Sequence, residues 1–347
     1  MISNSQVNKA GDNLRQYSQD TPEYKKALTL VEDWRRSHIY PLKTIKSNLD
    51  KRLLKYPKAI SAQRLKRMPT ILDKITRRQP TMRLSAMQDI GGVRAIMATV
   101  SQAEKLAIDY RDSKRFAHIL RKCNDYIIDP KDDGYRGIHL VYEYNNTLAR
   151  TDEAKNSKGI LVEIQIRSEL QHIWATAVET VGLMTGKSLK THEGGDRWLE
   201  FFKYLSSVFA IIEGRNVLDV HKGLQKREVY EQLLLLAVEM NVFDKLRGYS
   251  AGIKFISDNK KNNHYHLLVL DTVDKRVQIR GYGEAEYEQA VWDYEAIEAK
   301  QESNLDAVLV SVGHRRKLEK AYPNYYLDVE KLLGILDAIA VEYTGNK

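Results

Sequence analysis

Residues 160–167 read Ile160-Leu161-Val162-Glu163-Ile164-Gln165-Ile166-Arg167, and their alternation decides the fold. In an extended chain Ile160, Val162, Ile164 and Ile166 fall on one side and Leu161, Glu163, Gln165 and Arg167 on the other. The branched residues suit a pleated surface against a core. Three polar residues on the opposite face predict water or a site on that face. Two further strands are predicted upstream, Val93 to Val100 and Ile138 to Tyr144, the second opened by Gly134-Tyr135-Arg136-Gly137.

Working outward, helices surround these strands. Leu28, Val31, Trp34, His38 and Leu42 recur near helical spacing, so residues 22–56 are predicted helical. Residues 60–78 read as a second, basic helical stretch interrupted by Pro69. Downstream, a helix from Ser168 to Val181 carries the apolar stripe Leu170, Ile173, Trp174, Ala177, Val178 and Val181, and another spans Asp196 to Glu213. Val217 to Leu246 reads as mostly helical. After Arg247 the pattern changes: strands at His264 to Asp271, Arg276 to Arg280 and Ala307 to Val312, and helices at Glu284 to Gln301 and Asp328 to Val341. The expected class is α+β, a mixed β-sheet flanked by helices plus a smaller C-terminal α+β domain. The expected divisions are residues 1–215, a helical linker 216–246, and a module 247–347.

The 347 residues carry 55 Lys and Arg against 46 Asp and Glu, a net charge of +9. That surplus is uneven. From Arg35 to Arg78 fourteen basic residues stand against Asp50 and Asp73, +12 in all, which leaves −3 for the rest. A basic block beside an acidic remainder suits a polyanionic partner such as nucleotide phosphates or RNA. Cys123 is the only cysteine, which excludes an internal disulfide and a cysteine-rich zinc site and suits a reducing cytoplasm. Met1 to Asp20 lacks the apolar core of a signal peptide, and no stretch approaches the ~18 apolar residues of a membrane span.

Four segments carry the chemistry. They are Gln63 to Lys74, Asp89-Ile90-Gly91-Gly92-Val93-Arg94, Lys131 to His139, and Val162 to Arg167. Asp89 precedes one predicted strand and Glu163 lies within another. In a shared sheet the two carboxylates can converge on one magnesium ion, which prefers hard oxygen ligands together with substrate phosphates. Arg64, Lys66, Lys74 and Arg94 are suited to neutralise a triphosphate or stack on a base, and Tyr135 to stack on an acceptor base. Phosphoryl chemistry requires chiefly positioning and charge neutralisation.

In order and spacing these segments resemble the synthetase domain of RelA/SpoT homologues, the (p)ppGpp synthetases. That family carries Arg-x-Lys-x-x-x-Ser-x-x-x-Lys, Asp-x-x-Gly-x-Arg, Lys-x-x-Gly-Tyr-Arg-Ser-x-His and Glu-x-Gln-x-Arg elements, and the counterparts fall in order over roughly residues 40–185. The resemblance implies a nucleotidyltransferase-like sheet and transfer of the β,γ-pyrophosphate of ATP to a ribose 3′-hydroxyl. It implies that Arg64 and Arg94 sandwich the ATP adenine. Lys66 and Lys74 would bind the ATP phosphates. Asp89 and Glu163 would hold Mg2+, with Glu163 also orienting or deprotonating the attacking hydroxyl. Tyr135 would stack on the acceptor base with Lys131, Arg136 and His139 around it, and Gln165 and Arg167 would support the floor.

The departures point to the acceptor. Thr70 replaces the family Ser and keeps its hydroxyl; Gly137 replaces the Ser after Gly-Tyr-Arg and loses one. The chain resembles most the fused, CapRel-type phage-defence branch. Its toxic domain pyrophosphorylates the 3′-terminal adenosine of tRNA, and a C-terminal pseudo-zinc-finger domain acts as an antitoxin released by phage capsid protein. Tyr322-Pro323-Asn324-Tyr325 matches the autoinhibitory Tyr-x-x-Tyr element of that branch. The expected partners are thus a tRNA acceptor end and a phage protein, with no membrane. The alternatives are a (p)ppGpp synthetase acting on GDP or GTP and an inactive RNA-binding sensor.

Overall fold

The computed structural model describes residues 2–145, 151–184, 196–248, 251, 263–271, 273–274, 276–298, 305–311 and 325–344. The chain divides into two compact units, residues 1–129 with 137–169, and residues 130–136 with 170–347.

The first unit is built on a mixed five-stranded sheet in the order β1-β2-β5-β4-β3. Its strands are β1 (Ile60–Leu65), β2 (Gly91–Met97), β3 (Ile119–Asp125), β4 (Ile138–Glu143) and β5 (Leu161–Ser168). β2 and β5 run parallel at the centre, and the other pairs are antiparallel. The alternation in residues 160–167 is borne out: Val162, Ile164 and Ile166 are fully buried, as are Ala95 and Leu140 of the neighbouring strands. Helices α3 (Ile39–Leu53) and α5 (Val100–Arg111) close that apolar face through Ile45, Leu49, Ala103 and Leu106. Helices α1 (Asn4–Gln16), α2 (Pro22–Ser37) and α4 (Met68–Asp73) form a second cluster around Val7, Val31, Trp34, Ile71 and Ile75. Thr21 caps α2 through Tyr24 N, with Pro22 in the first turn, and Thr99 caps α5 through Gln102 N.

Two local expectations are corrected, and one strand, β3, was not foreseen. Residues 60–65 form strand β1, not the start of a helix; Gln63, Arg64 and Leu65 have good helix propensity, but pairing with β2 overrides it. The strand expected to run to Val100 ends at Met97, because Thr99 caps α5. β3 lacks an apolar face, with Ile119 to Cys123 exposed, because it lies at the sheet edge and its alternation has nothing to bury.

The second unit contains α7 (Glu169–Met184), α8 (Asp196–Ile212) and α9 (Lys226–Glu239), the chain having also formed the short α6 (Asp152–Lys155) in the first. An aromatic cluster of Trp198, Phe201 and Phe202 with Trp174 packs α8 against α7. Strands β6 (Tyr265–Asp271), β7 (Arg276–Tyr282) and β8 (Leu305–Ser311) make an antiparallel sheet, β7-β6-β8. Helix α10 (Tyr287–Glu298) covers one face through Ala290, Tyr294 and Ile297 against Leu267, Val269 and Ala307. Helix α11 (Tyr325–Thr344) packs on α9, with Tyr343 stacked on Tyr230 at 4.7 Å. Among the described residues, no helix is long and apolar enough to cross a membrane.

Candidate active site

The face of the first sheet opposite its core is polar. Register fixes who meets whom: Arg64 lies across from Gly92, and Gly92 beside Glu163. One step along, Ala62, Arg94, Gln165 and His139 form the next row. Arg64 and Arg94 are therefore diagonal neighbours on one face. Such neighbours sit roughly 7–8 Å apart, which leaves room for one planar ring between two guanidinium groups.

Asp89 lies just before β2. The backbone bond from Lys66 N to Ile90 O (2.7 Å) continues the β1–β2 pairing and draws Lys66 alongside it. Lys66 Nζ donates to Asp89 Oδ2 at 2.5 Å, and Lys74 Nζ, from the turn after α4, donates to Oδ1 at 3.1 Å. Lys66 is 8% exposed. Burial pushes the Asp89 carboxyl up, but the two lysines outweigh it and hold the group below the usual carboxylate range. Burial also lowers the Lys66 ammonium against the opposing pull of Asp89. Such a cluster keeps a surplus positive charge, and each charge depends on the others.

Glu163 is 8% exposed. Its Oε1 lies 2.8 Å from His139 Nδ1, and its Oε2 accepts from Gln165 Nε2 at 2.7 Å. Burial raises this carboxyl and the Asp89 charge adds to that, yet the bonds from His139 and Gln165 leave it below its ordinary value. Arg167 Nη2 lies 3.5 Å from Gln165 Oε1.

The residues from Lys131 to His139 are held differently. In the second unit, Gly134 takes φ +95°, and a Cβ there would press on Ser206, Trp174 and the Phe202 carbonyl. Ser206 Oγ donates to Gly134 O (2.6 Å) and accepts from Arg136 Nε (3.1 Å). Arg136 also donates to Asn216 O at 2.8 Å and is 3% exposed, so its guanidinium is committed inward. Burial lowers it to about 10. The Tyr135 ring is buried against Trp174, with Lys131 Nζ 5.2 Å from its centroid. In the first unit His139 addresses Glu163, with Tyr126 packed edge-on against its ring.

Sequence reasoning missed Ser206. The available signal is a hydroxyl in the apolar stripe of α8, between Leu205 and Phe209, where a buried polar atom must find a partner. Tyr322 lies outside the described residues, and Tyr325 is the first residue of α11.

The donor set fits a magnesium ion in kind: two carboxylates, both hard oxygen ligands, of the sort that magnesium takes together with phosphate and water. Among the described residues no group of three or more His, Cys, Asp and Glu gathers as a metal cluster, so the candidate rests on Asp89 and Glu163.

Comparisons with known proteins find relatives of part of the chain. The chain is 33% identical over 114 residues to the GTP pyrophosphokinase YjbM of Bacillus subtilis (strain 168), covering 33% of this chain and 51% of that protein. It is 29% identical over 117 residues to the GTP pyrophosphokinase YwaC of the same organism, 33% of this chain and 52% of the relative. The chain thus spans about half the length of the curated relatives it matches. The crystal structure of the small alarmone synthetase 1 from Bacillus subtilis aligns with a TM-score of 0.42 and 23% identity, over 53% of this chain and 92% of that one. Residues 63–181, which contain all four segments, match the family described as the region found in RelA / SpoT proteins.

Proposed function

We propose that the chain is an ATP pyrophosphokinase that transfers the β,γ-pyrophosphate of ATP to the 3′-hydroxyl of the 3′-terminal adenosine of tRNA. The observation that carries the transferase reading is the single polar sheet face, where Arg64, Arg94, Lys66, Lys74, Asp89 and Glu163 assemble from three strands and a turn. Arg64 and Arg94 hold the adenine between them. Lys66 and Lys74 exchange the Asp89 carboxylate for phosphate oxygens of the donor. Asp89 and Glu163 are the residues that would hold Mg2+; when bound, it supplies charge neutralisation to the phosphates. Glu163 accepts the hydrogen bond of the incoming 3′-hydroxyl and receives its proton. The hydroxyl oxygen bonds to the β-phosphorus, the bond from that phosphorus to the α-phosphate bridging oxygen breaks, and AMP leaves.

The tRNA acceptor is supported by two features. Gly137 stands where the alarmone synthetases have Ser. Arg136 and His139, expected around the acceptor, are engaged with Ser206 and Asn216 and with Glu163 respectively. An acceptor whose reacting end is a ribose with little phosphate asks least of those side chains. The basic block between Arg35 and Arg78 would hold the acceptor stem by phosphate contacts. The second reading, a (p)ppGpp synthetase acting on GDP or GTP, is favoured by the relatives named GTP pyrophosphokinases. Intact Asp89 and Glu163 weigh against an inactive RNA-binding sensor.

The proposal extends to regulation: residues 247–347 restrain the transferase in cis until a phage protein, such as the major capsid protein, engages them. The test is γ-labelled ATP with either deacylated tRNA or GDP, using the full chain and a truncation after residue 246. Label on tRNA, stronger after truncation, is expected. Label on GDP alone overturns the acceptor assignment, and equal rates with and without residues 247–347 overturn the restraint.

A further inference from the structure

Glu163 has each oxygen engaged by a different side chain, and both donors stand on the sheet itself. Oε1 meets His139 Nδ1 at 2.8 Å and Oε2 accepts Gln165 Nε2 at 2.7 Å. An ionised carboxylate only accepts, so Nδ1 carries the hydrogen in this contact. The Gln165 amide is oriented in turn, because its Oε1 faces the Arg167 guanidinium and its NH2 is left to turn toward Glu163. His139 and Gln165 sit opposite each other in the β4–β5 register, two strands paired deep in the sheet. Tyr126 packs edge-on against the His139 ring at 5.3 Å and limits its rotation. Three consecutive polar positions of β5 and one of β4 thus form a chain, Arg167 to Gln165 to Glu163 to His139, on a rigid support.

We infer that His139 and Gln165 are positioning residues that lock Glu163 in one orientation, so that His139 acts through the carboxylate and not by touching the acceptor. This rests on the reading of Glu163 as the carboxylate that meets the attacking hydroxyl. Partners that orient a reacting or ligating group are worth about 10–100-fold in activity.

Two measurements on the full chain test it. In the first, 15N-histidine labelling reads the tautomer of His139 in the enzyme without substrates. The expected result is hydrogen on Nδ1, with the resonance displaced in Glu163→Gln. A His139 that carries its hydrogen on Nε2 alone, or whose resonance ignores Glu163→Gln, overturns the clamp. This arm needs no turnover, so it decides the clamp even if the protein transfers no pyrophosphate and the proposed activity fails. In the second, kinetics use whichever of tRNA or GDP accepts label. His139→Phe keeps a ring against Tyr126 and removes the donor; His139→Asn places an amide nitrogen near the former Nδ1. The Phe variant is expected to lose about 10–100-fold in kcat with acceptor KM nearly unchanged, and the Asn variant to recover most of it. A raised acceptor KM at unchanged kcat, or equal losses in Phe and Asn, overturns the proposal.

Discussion

Gly137 offers the sharpest single perturbation, because it is where this chain departs from the alarmone pattern. Its φ is +148°, a backbone conformation that side chains with a Cβ rarely adopt. It is also pinned, since its carbonyl accepts from Tyr126 N at 2.9 Å. Introducing Ser or Ala forces a choice. Keeping the backbone stores about 1–3 kcal/mol of strain. Relaxing it swings the carbonyl off Tyr126 and gives up a backbone hydrogen bond worth about 0.5–1.5 kcal/mol, more if the buried groups stay unpaired. Either route predicts that Gly137→Ser and Gly137→Ala lose about 1–3 kcal/mol in urea unfolding, by nearly equal amounts. The comparison separates the Cβ from the hydroxyl. If the missing serine is a consequence of backbone shape, both variants suffer alike and neither gains GDP transfer. A serine variant as stable as the parent, with only alanine destabilised, would refute the reasoning, because the hydroxyl would then be compensating a conformation that the loop tolerates.

Other outcomes follow from the same contacts. Burial pushes the His38 imidazole down to about 4, while its Nδ1 keeps a bond to the Trp34 carbonyl at 2.9 Å. The fold therefore prefers the neutral ring: that stability is intact above the ordinary value near 6.5 and drains as pH falls toward about 4, by about 3 kcal/mol in all. Denaturation at pH 7, 5.5 and 4.5 should show this slope shrinking in His38→Gln, and parallel profiles for the two proteins would contradict it. Ser206→Ala removes the bridge between Gly134 O and Arg136 Nε, at about 1–3 kcal/mol. It is expected to raise acceptor KM and leave ATP KM alone; an equal rise in both would count against a loop-specific role. Lys66→Met leaves Asp89 with Lys74 only, so Mn2+ binding measured by electron paramagnetic resonance without nucleotide should tighten several-fold. Unchanged or weaker binding would show that Lys66 does not compete with the metal.

What was legible divides along physical lines. The central strands announced themselves, because β5 buries one face completely and its sequence alternates accordingly. Edge strands β1 and β3 did not, since their side chains stay largely exposed and leave no period to read. Arg64, Lys66, Asp89, Arg94 and Glu163 could be named as candidates from the motif resemblance, but their company could not. Nothing in the sequence shows that Lys66 and Lys74 close on Asp89, or that His139 turns to Glu163, because the partners lie 23, 15 and 24 residues apart in the chain and meet only in the folded sheet. Ser206 was hidden for a related reason: its partner Gly134 lies 72 residues away.

The same contacts bear on the order of events at the donor side. Both oxygens of Asp89 are held by ammonium groups, so a cation approaching alone meets a carboxylate already neutralised and two like charges beside it. The lysines leave Asp89 only for another anion, and a triphosphate is one. A triphosphate approaching without a cation meets the converse difficulty, since drawing Lys66 away strands a largely desolvated carboxylate. Each difficulty is removed by the other component. Metal and donor should therefore bind with positive coupling at Asp89 beyond their affinity for each other in solution, and by linkage each raises the affinity of the other by the same factor. Glu163 stands outside this exchange, because its oxygens are held by neutral or oriented donors of the sheet and not by the cations that the triphosphate recruits. On the proposed reading the two carboxylates are thus prepared differently: Asp89 would be released by its lysines when the donor arrives, and Glu163 would keep its His139 and Gln165 contacts.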